Sequence, residues 1–201
     1  MEILAKLFGS VARVKIMKLF LLNPEQVFDN VEISSRTKIV TTTSRKELNL
    51  LIKIKFIKKR SFFKEVGDKS KTGKKRKDGW ILNKDFSFLA PLQNLLVESG
   101  SLKSKEIVDR LKSVGSLKLL IVAGVFIQDL NSRADILIVG DNLNEVSLER
   151  SMRILESEVG RELRYVVFET ADFKYRLGIY DKLLRDILDY SHKKIINKIG
   201  I

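Results

Sequence analysis

Apolar side chains recur at three- and four-residue spacing through Val11, Val14, Met17 and Leu21, behind Ser10 and ahead of Asn23 and Pro24. The spacing predicts a helix capped by the Ser10 hydroxyl and stopped where the asparagine and proline forbid another turn. After a short extended segment over 26–28, Asp29 and Glu32 stand at capping-box spacing and open a brief second helix. That helix turns at Thr37, Lys38 and Ile39 into a third, about 41–53. The third helix would bury Leu48, Leu51 and Ile52 and turn Thr42, Thr43, Arg45, Lys46 and Asn49 outward. A strand-like run over 56–63 follows, then a Gly- and Lys-rich loop over 66–78 and a second strand over 79–82. Phe88, Leu89, Leu92, Leu95 and Leu96 resume the helical period, with Pro91 tolerated near the start. This apolar face is expected to leave the first domain and pack on the second or on another copy of the chain.

Beyond a Ser-Gly-Ser linker at 99–101 the pattern alternates: helix to about 112, buried strand 117–123, strand 135–139, helix 144–159, strand 163–168, helices over 171–190. The middle helix is amphipathic through Leu148, Met152, Leu155 and Val159. The expected fold class is therefore α+β. It comprises an N-terminal helical domain with a hairpin (1–85), a connecting helix and linker (86–101) and a small α/β domain (102–201).

Composition narrows the chemistry. The chain has 201 residues, 44% of them apolar and 31% charged, enough for one large or two small cores. It has no cysteine, which excludes disulfide scaffolds, thiol catalysis and Cys-ligated metal centres. The one histidine, His192, cannot form a His-rich metal site and reads as a surface residue after a helix. The longest apolar run, 119–127, falls far short of the roughly 20 residues that cross a membrane. Lys6, Arg13, Lys15 and Lys18 interrupt the first apolar stretch as no secretory leader would allow, so a cytoplasmic protein without a membrane partner is expected.

The net charge of +13 is segregated: residues 1–90 carry 21 Lys and Arg against 9 Asp and Glu, whereas 91–201 carry 17 against 16. The basic half is expected to meet a polyanion. Helix, short helix, tight turn and a helix with a polar, basic leading end is the order of a helix-turn-helix unit, whose second helix enters the major groove. Candidate base-contacting residues are Thr42, Thr43, Arg45, Lys46 and Asn49. Lys69, Lys71, Lys74, Lys75, Arg76 and Lys77 are candidates for phosphate contact from the loop. Trp80 is assigned to core or interface rather than base stacking. Residues 67–75 do not make a P-loop: the glycines stand one residue too far apart, and Lys75 stands where Ser or Thr must hold magnesium.

The segments Leu7-Phe8-Gly9-Ser10-Val11-Ala12-Arg13 and Ser44-Arg45-Lys46-Glu47-Leu48-Asn49-Leu50-Leu51, ending in Phe56-Ile57-Lys58-Lys59, resemble winged helix-turn-helix regulators of the ArsR and MarR type. The resemblance covers about 5–85. It implies a winged helix domain, transcription regulation and double-stranded DNA as partner. Ile54 and Lys55 depart from the Ala-Gly or similar pair those families often carry there. Because one such unit reads only a short half-site, a homodimer is expected, with Phe88, Leu92, Leu95 and Leu96 as its contact.

Residues 124–140, Gly-Val-Phe-Ile-Gln-Asp-Leu-Asn-Ser-Arg-Ala-Asp-Ile-Leu-Ile-Val-Gly, resemble the signature of minimal nucleotidyltransferase domains of the DNA polymerase β superfamily, a likeness covering about 115–190. The family pattern is a Gly-Ser pair, a short helical connection and Ser-Asp-x-Asp entering an apolar strand. Gly124 matches the glycine and Asp135 the second carboxylate, but Val125 replaces the serine and Arg133 occupies the place of the first carboxylate. Two-metal phosphoryl transfer needs clustered carboxylates, and an arginine among them repels the cations. The resemblance therefore implies a pseudo-nucleotidyltransferase with no catalytic residue, metal or cofactor. Gly124, Arg133 and Asp135 are its candidate ligand contacts, with Asp135 solvated or paired with Arg133. Such a domain would serve dimerisation, sensing, or binding of a small molecule or protein. The alternatives are an active metal-dependent nucleotidyltransferase and an antitoxin-like interaction module.

Overall fold

The computed structural model describes residues 2–66, 73–98, 102–129 and 132–201, and the architecture is mixed α+β with two separate sheets. Backbone contacts divide the chain into two compact units: Met1–Gly100 with Ser157–Arg161, and Ser101–Glu156 with Glu162–Ile201. Among the described residues no helix is long and apolar enough to cross a membrane.

The first unit opens with α1 (Glu2–Phe8), a short helix the periodicity does not announce, whose Leu4 is buried. Helix α2 (Val11–Leu22) begins as expected: Ser10 Oγ accepts from the Arg13 amide. Val14, Ile16, Met17, Leu19 and Phe20 are all buried, so α2 is the centre of the core and not an amphipathic surface helix. Asp29 caps α3 (Asn30–Thr37), which ends with Lys38 in the left-handed conformation. Helix α4 (Thr41–Lys53) buries Leu48 and Leu51 fully and Ile52 in part.

At the end of α4 the Lys55 amide donates to Ile52 O and the Phe56 amide to Leu51 O, both at 2.9 Å, with Lys55 at φ 62°. This is a Schellman motif closed by lysine where glycine is usual, with Leu51 and Phe56 both buried. Glycine at this place is thus replaced without loss of the turn.

Strands β1 (Ile57–Val66) and β2 (Gly73–Leu82) form an antiparallel hairpin longer than the spacing suggests. Lys74–Lys77 therefore lie on a strand and not in a loop. The strand-forming Phe62 and Phe63 stand opposite Lys77 and Arg76 and extend the ladder through the basic run. Phe28 pairs with Trp80 through two backbone hydrogen bonds, 2.9 and 3.0 Å, adding a third short crossing. Gly79 permits that approach, since a Cβ there would meet Phe28 O at 2.7 Å. Trp80 is half-buried and packs against the core, as expected.

Helix α5 (Leu89–Gln93) runs into a π-helical turn, Asn94–Glu98. The apolar face here does not leave its unit. Leu96 is fully buried in the core around α2, and Leu89, Leu92 and Val97 pack against that core. The expected exposed stripe is thus reduced to Phe88 and Leu95, because the segment folds back onto α2 and uses its leucines there.

The second unit orders its sheet β5-β4-β3-β6. Strand β3 (Ser116–Val122) follows α6 (Ser104–Leu111) and pairs antiparallel with β4 (Ile136–Asp141); β4 pairs parallel with β5 (Tyr165–Phe168). The parallel crossover is α7 (Glu145–Val159). Leu119, Ile121, Leu137 and Val139 of the sheet form one cluster with Phe173 of α8 (Thr170–Gly178) and with Leu184 and Ile187 of α9 (Lys182–Leu188). An unanticipated strand, β6 (Lys193–Asn197), closes the other edge of the sheet on β3. Half-buried His192 lies just before it, its Nδ1 2.8 Å from Tyr190 O.

Candidate functional site

Two places on the chain gather the residues singled out by the sequence. The first is the outer face of α4 with the hairpin. The 3.6-residue period turns Thr42, Arg45, Lys46 and Asn49 to solvent and leaves Thr43 half-buried. Among the described residues no ion pair engages Arg45 or Lys46. The opposite face is pinned: Glu47, nearly buried, accepts from Ser10 Oγ at 2.7 Å and from Arg13 Nε at 2.8 Å. Fully buried Ser44 hydrogen-bonds Asn30 Oδ1 at 3.3 Å. These contacts fix α4 to α2 and α3, so its exposed side chains project from a rigid rod.

On the hairpin Lys74, Lys75 and Arg76 are exposed, and Arg76 Nη2 donates to Ser61 Oγ at 3.3 Å. Lys77 is half-exposed and directed back, its Nζ 3.8 Å from Asp29 Oδ2. Lys69 and Lys71 lie outside the described residues. The spacing that makes Asp29 a helix cap gives no sign of its second role. Its Oδ1 accepts from the Glu32 amide at 2.8 Å, and its Oδ2 accepts from Lys64 Nζ at 2.9 Å. Burial acts to raise the Asp29 pKa, but the Glu32 amide and the Lys64 and Lys77 ammonium groups prevail, and the carboxyl titrates below its ordinary value. The hydrogen bond to Asp29 correspondingly raises the Lys64 pKa.

The second place is the turn after β3, where Gly124 begins one turn of 3₁₀ helix, Gly124–Phe126. Asp135, just before β4, is 0% exposed. Its Oδ1 accepts from the Val125 amide at 3.0 Å; its Oδ2 accepts from the Arg164 amide at 2.9 Å and from Arg164 Nε at 3.3 Å. Gly124 has φ 54°, and a Cβ there would lie 2.0 Å from Asp135 Oδ1. The structure thus brings Gly124 and Asp135 together and separates Arg133 from them.

Arg133 is 67% exposed in its side chain and lies 3.4 Å from Asp186 Oδ2 on α9. The expectation of a solvated or Arg133-paired Asp135 is corrected: the carboxylate is buried, and its cation is Arg164. Chain direction explains this, because the approach to β5 runs beside Asp135, with the Asp135 amide donating to Arg164 O at 2.6 Å. A cationic partner and two engaged oxygens do not suit a divalent cation. Among the described residues no group of three or more acidic, His or Cys side chains is placed to hold a metal.

No family model, curated protein or solved structure matches this chain.

Proposed function

We propose that this chain is a duplex-DNA-binding regulator of transcription that acts in the cytoplasm as a homodimer. Its first unit is read as a winged helix domain with α4 as recognition helix and the β1–β2 hairpin as wing. The observation that carries the proposal is the outer face of α4. Short hydroxyls, Arg45, Lys46 and Asn49 stand exposed on a helix whose other face is anchored by Glu47 and Ser44, beside a hairpin that exposes Lys74, Lys75 and Arg76. Arginine and asparagine are the side chains that bind guanine and adenine edges bidentately, and hairpin cations suit phosphates. The test is selection of sites from a random duplex library by the purified full chain. An enriched motif that Arg45→Ala abolishes supports the reading, and no enrichment refutes it.

The second unit is read as a nucleotidyltransferase-like domain that has lost transfer chemistry. The supporting observation is that Asp135 is committed to Val125 and Arg164. Incubation with labelled nucleoside triphosphates, divalent cations and candidate acceptors checks this: transfer that vanishes in Asp135→Asn would overturn it.

One observation favours a protein-binding role for this unit. Tyr175, Ile179, Tyr180 and Tyr190 are exposed around α8 and α9, beside a cleft of about 610 Å³ lined by Tyr180, Arg185 and Asp189. Aromatic surface of this kind is enriched at protein interfaces. Loss of self-association or partner capture in Tyr180→Asp would establish that role.

A further inference from the structure

Asp29 joins α3 to the hairpin, and α3 is in turn tied to α4 by the hydrogen bond between Asn30 and Ser44. It is 6% exposed, caps α3 through Oδ1 and holds Lys64 of β1 at 2.9 Å through Oδ2, with Lys77 of β2 at 3.8 Å. Glu32 of α3 adds a second acidic group, 3.7 Å from Lys64 Nζ. In the hairpin register Lys64 stands opposite Lys75 and Phe62 opposite Lys77, so these four share one face. Lys74 and Arg76 alternate onto the other. The hairpin therefore has a tethered face and a free face, and one buried carboxylate marks the difference.

We infer that Asp29 is a positioning residue for DNA binding: by holding Lys64 and Lys77 it fixes the hairpin to α3, and through the Asn30–Ser44 bond to α4, and leaves Lys74 and Arg76 to meet phosphates. The inference rests on the DNA-binding reading and reverses a simple electrostatic expectation. An acidic group near a polyanion opposes binding, so its removal should tighten the complex. With the tether in place its removal weakens the complex, because a loosened hairpin must be ordered when it binds. The wing cations accordingly fall into structural (Lys64, Lys77) and phosphate-contacting (Lys74, Arg76) pairs, with exposed Lys75 on the face of the first pair.

The deciding variant is Asp29→Asn in the full chain, since asparagine caps a helix as well as aspartate and only the charge is lost. Duplex affinity is expected to fall roughly two- to fivefold, the range set by losing one partly exposed ion pair. Amide exchange across β1 and β2 in the free protein should accelerate. Lys64→Ala should reproduce the faster exchange, whereas Lys74→Ala should lower affinity with hairpin exchange unchanged. Tighter or unaltered DNA binding by Asp29→Asn overturns the inference, as does unchanged hairpin protection in both Asp29→Asn and Lys64→Ala. A wild-type chain that binds no duplex overturns the DNA reading itself, and the exchange measurement then decides the tether separately.

Discussion

The outer face of α4 and the turn at Gly124 both carry polar residues in a pattern that suggests chemistry, and the fold treats them in opposite ways. On α4 the cations Arg45 and Lys46 remain in solvent while the helix is held from behind by Glu47 and Ser44. At the turn Asp135 is withdrawn from solvent, and both its oxygens are occupied by donors from Val125 and Arg164. The first arrangement leaves the hydrogen-bonding capacity of Arg45, Lys46 and Asn49 open to solvent. The second uses its own to join the turn, β4 and the approach to β5. A charged residue in a motif thus has functional meaning only once its donors and acceptors are accounted for.

The strongest way to break this contrast is Gly124→Ala. A methyl group would fall 2.0 Å from Asp135 Oδ1 at a left-handed φ. Expelling the carboxylate would strand it or its partners, and the expected loss is about 3 kcal/mol or more of unfolding free energy. Chemical denaturation of the full chain reads this directly. If the glycine instead serves a ligand's approach, the midpoint stays in place.

Arg45→Ala is the complementary case. Its side chain makes no ion pair among the described residues, so stability should hold, while on the proposed DNA-binding reading discrimination at particular base pairs should fall by about 1–3 kcal/mol each. Replacing Lys74 and Arg76 together should flatten the dependence of log affinity on log salt by about 1.8, at about 0.9 per phosphate contact, without changing base preference. A variant of Arg45 that unfolds more easily would show that α4 uses this residue for its own support.

Most of the first region was legible because a helical period assigns faces: Leu48 and Leu51 had to be inside and Arg45 and Asn49 outside. The Ser10 and Asp29 caps were equally legible, being local signals. Partners distant in sequence were not. Arg164 reaches Asp135 across 29 positions, and Lys64 reaches Asp29 across 35. Amphipathicity likewise showed that Leu92 and Leu96 seek cover without saying that α2 provides it. Strand β6, five residues with two isoleucines among lysines, carries too little pattern to separate it from a tail.

Acid should weaken the first unit through Asp29. Its folded pKa is depressed by the Glu32 amide, Lys64 and Lys77 against the opposing effect of burial, with the Glu32 carboxylate also near Lys64. A depressed carboxyl contributes stability that is present above its unfolded pKa and lost as pH falls through the folded one. The denaturation midpoint should therefore decline below about pH 4, the ordinary range for aspartate. In Asp29→Asn that part of the decline should be missing. An identical acid limb in the variant would assign it to other carboxylates.

The smallest effect tests whether left-handed positions in the two regions differ as their surroundings imply. Lys55 and Gly124 have similar φ values, 62° and 54°. Space around Gly124 is filled by Asp135, whereas Lys55 is exposed at the end of α4 and is held there by the backbone bonds of the turn and by the Asn83 side chain, which donates to Lys55 O at 2.8 Å. A non-glycine residue in this conformation costs about 1–2 kcal/mol. Lys55→Gly relieves that strain but increases the freedom of the unfolded chain by about 0.5–1 kcal/mol. The net gain should be about 0.5 kcal/mol, with the Schellman bonds to Ile52 and Leu51 kept. A rise in the denaturation midpoint for Lys55→Gly beside a collapse for Gly124→Ala would show that the same backbone angle is tolerated in one region and required in the other. A fall for Lys55→Gly would mean that the lysine side chain itself holds the end of α4.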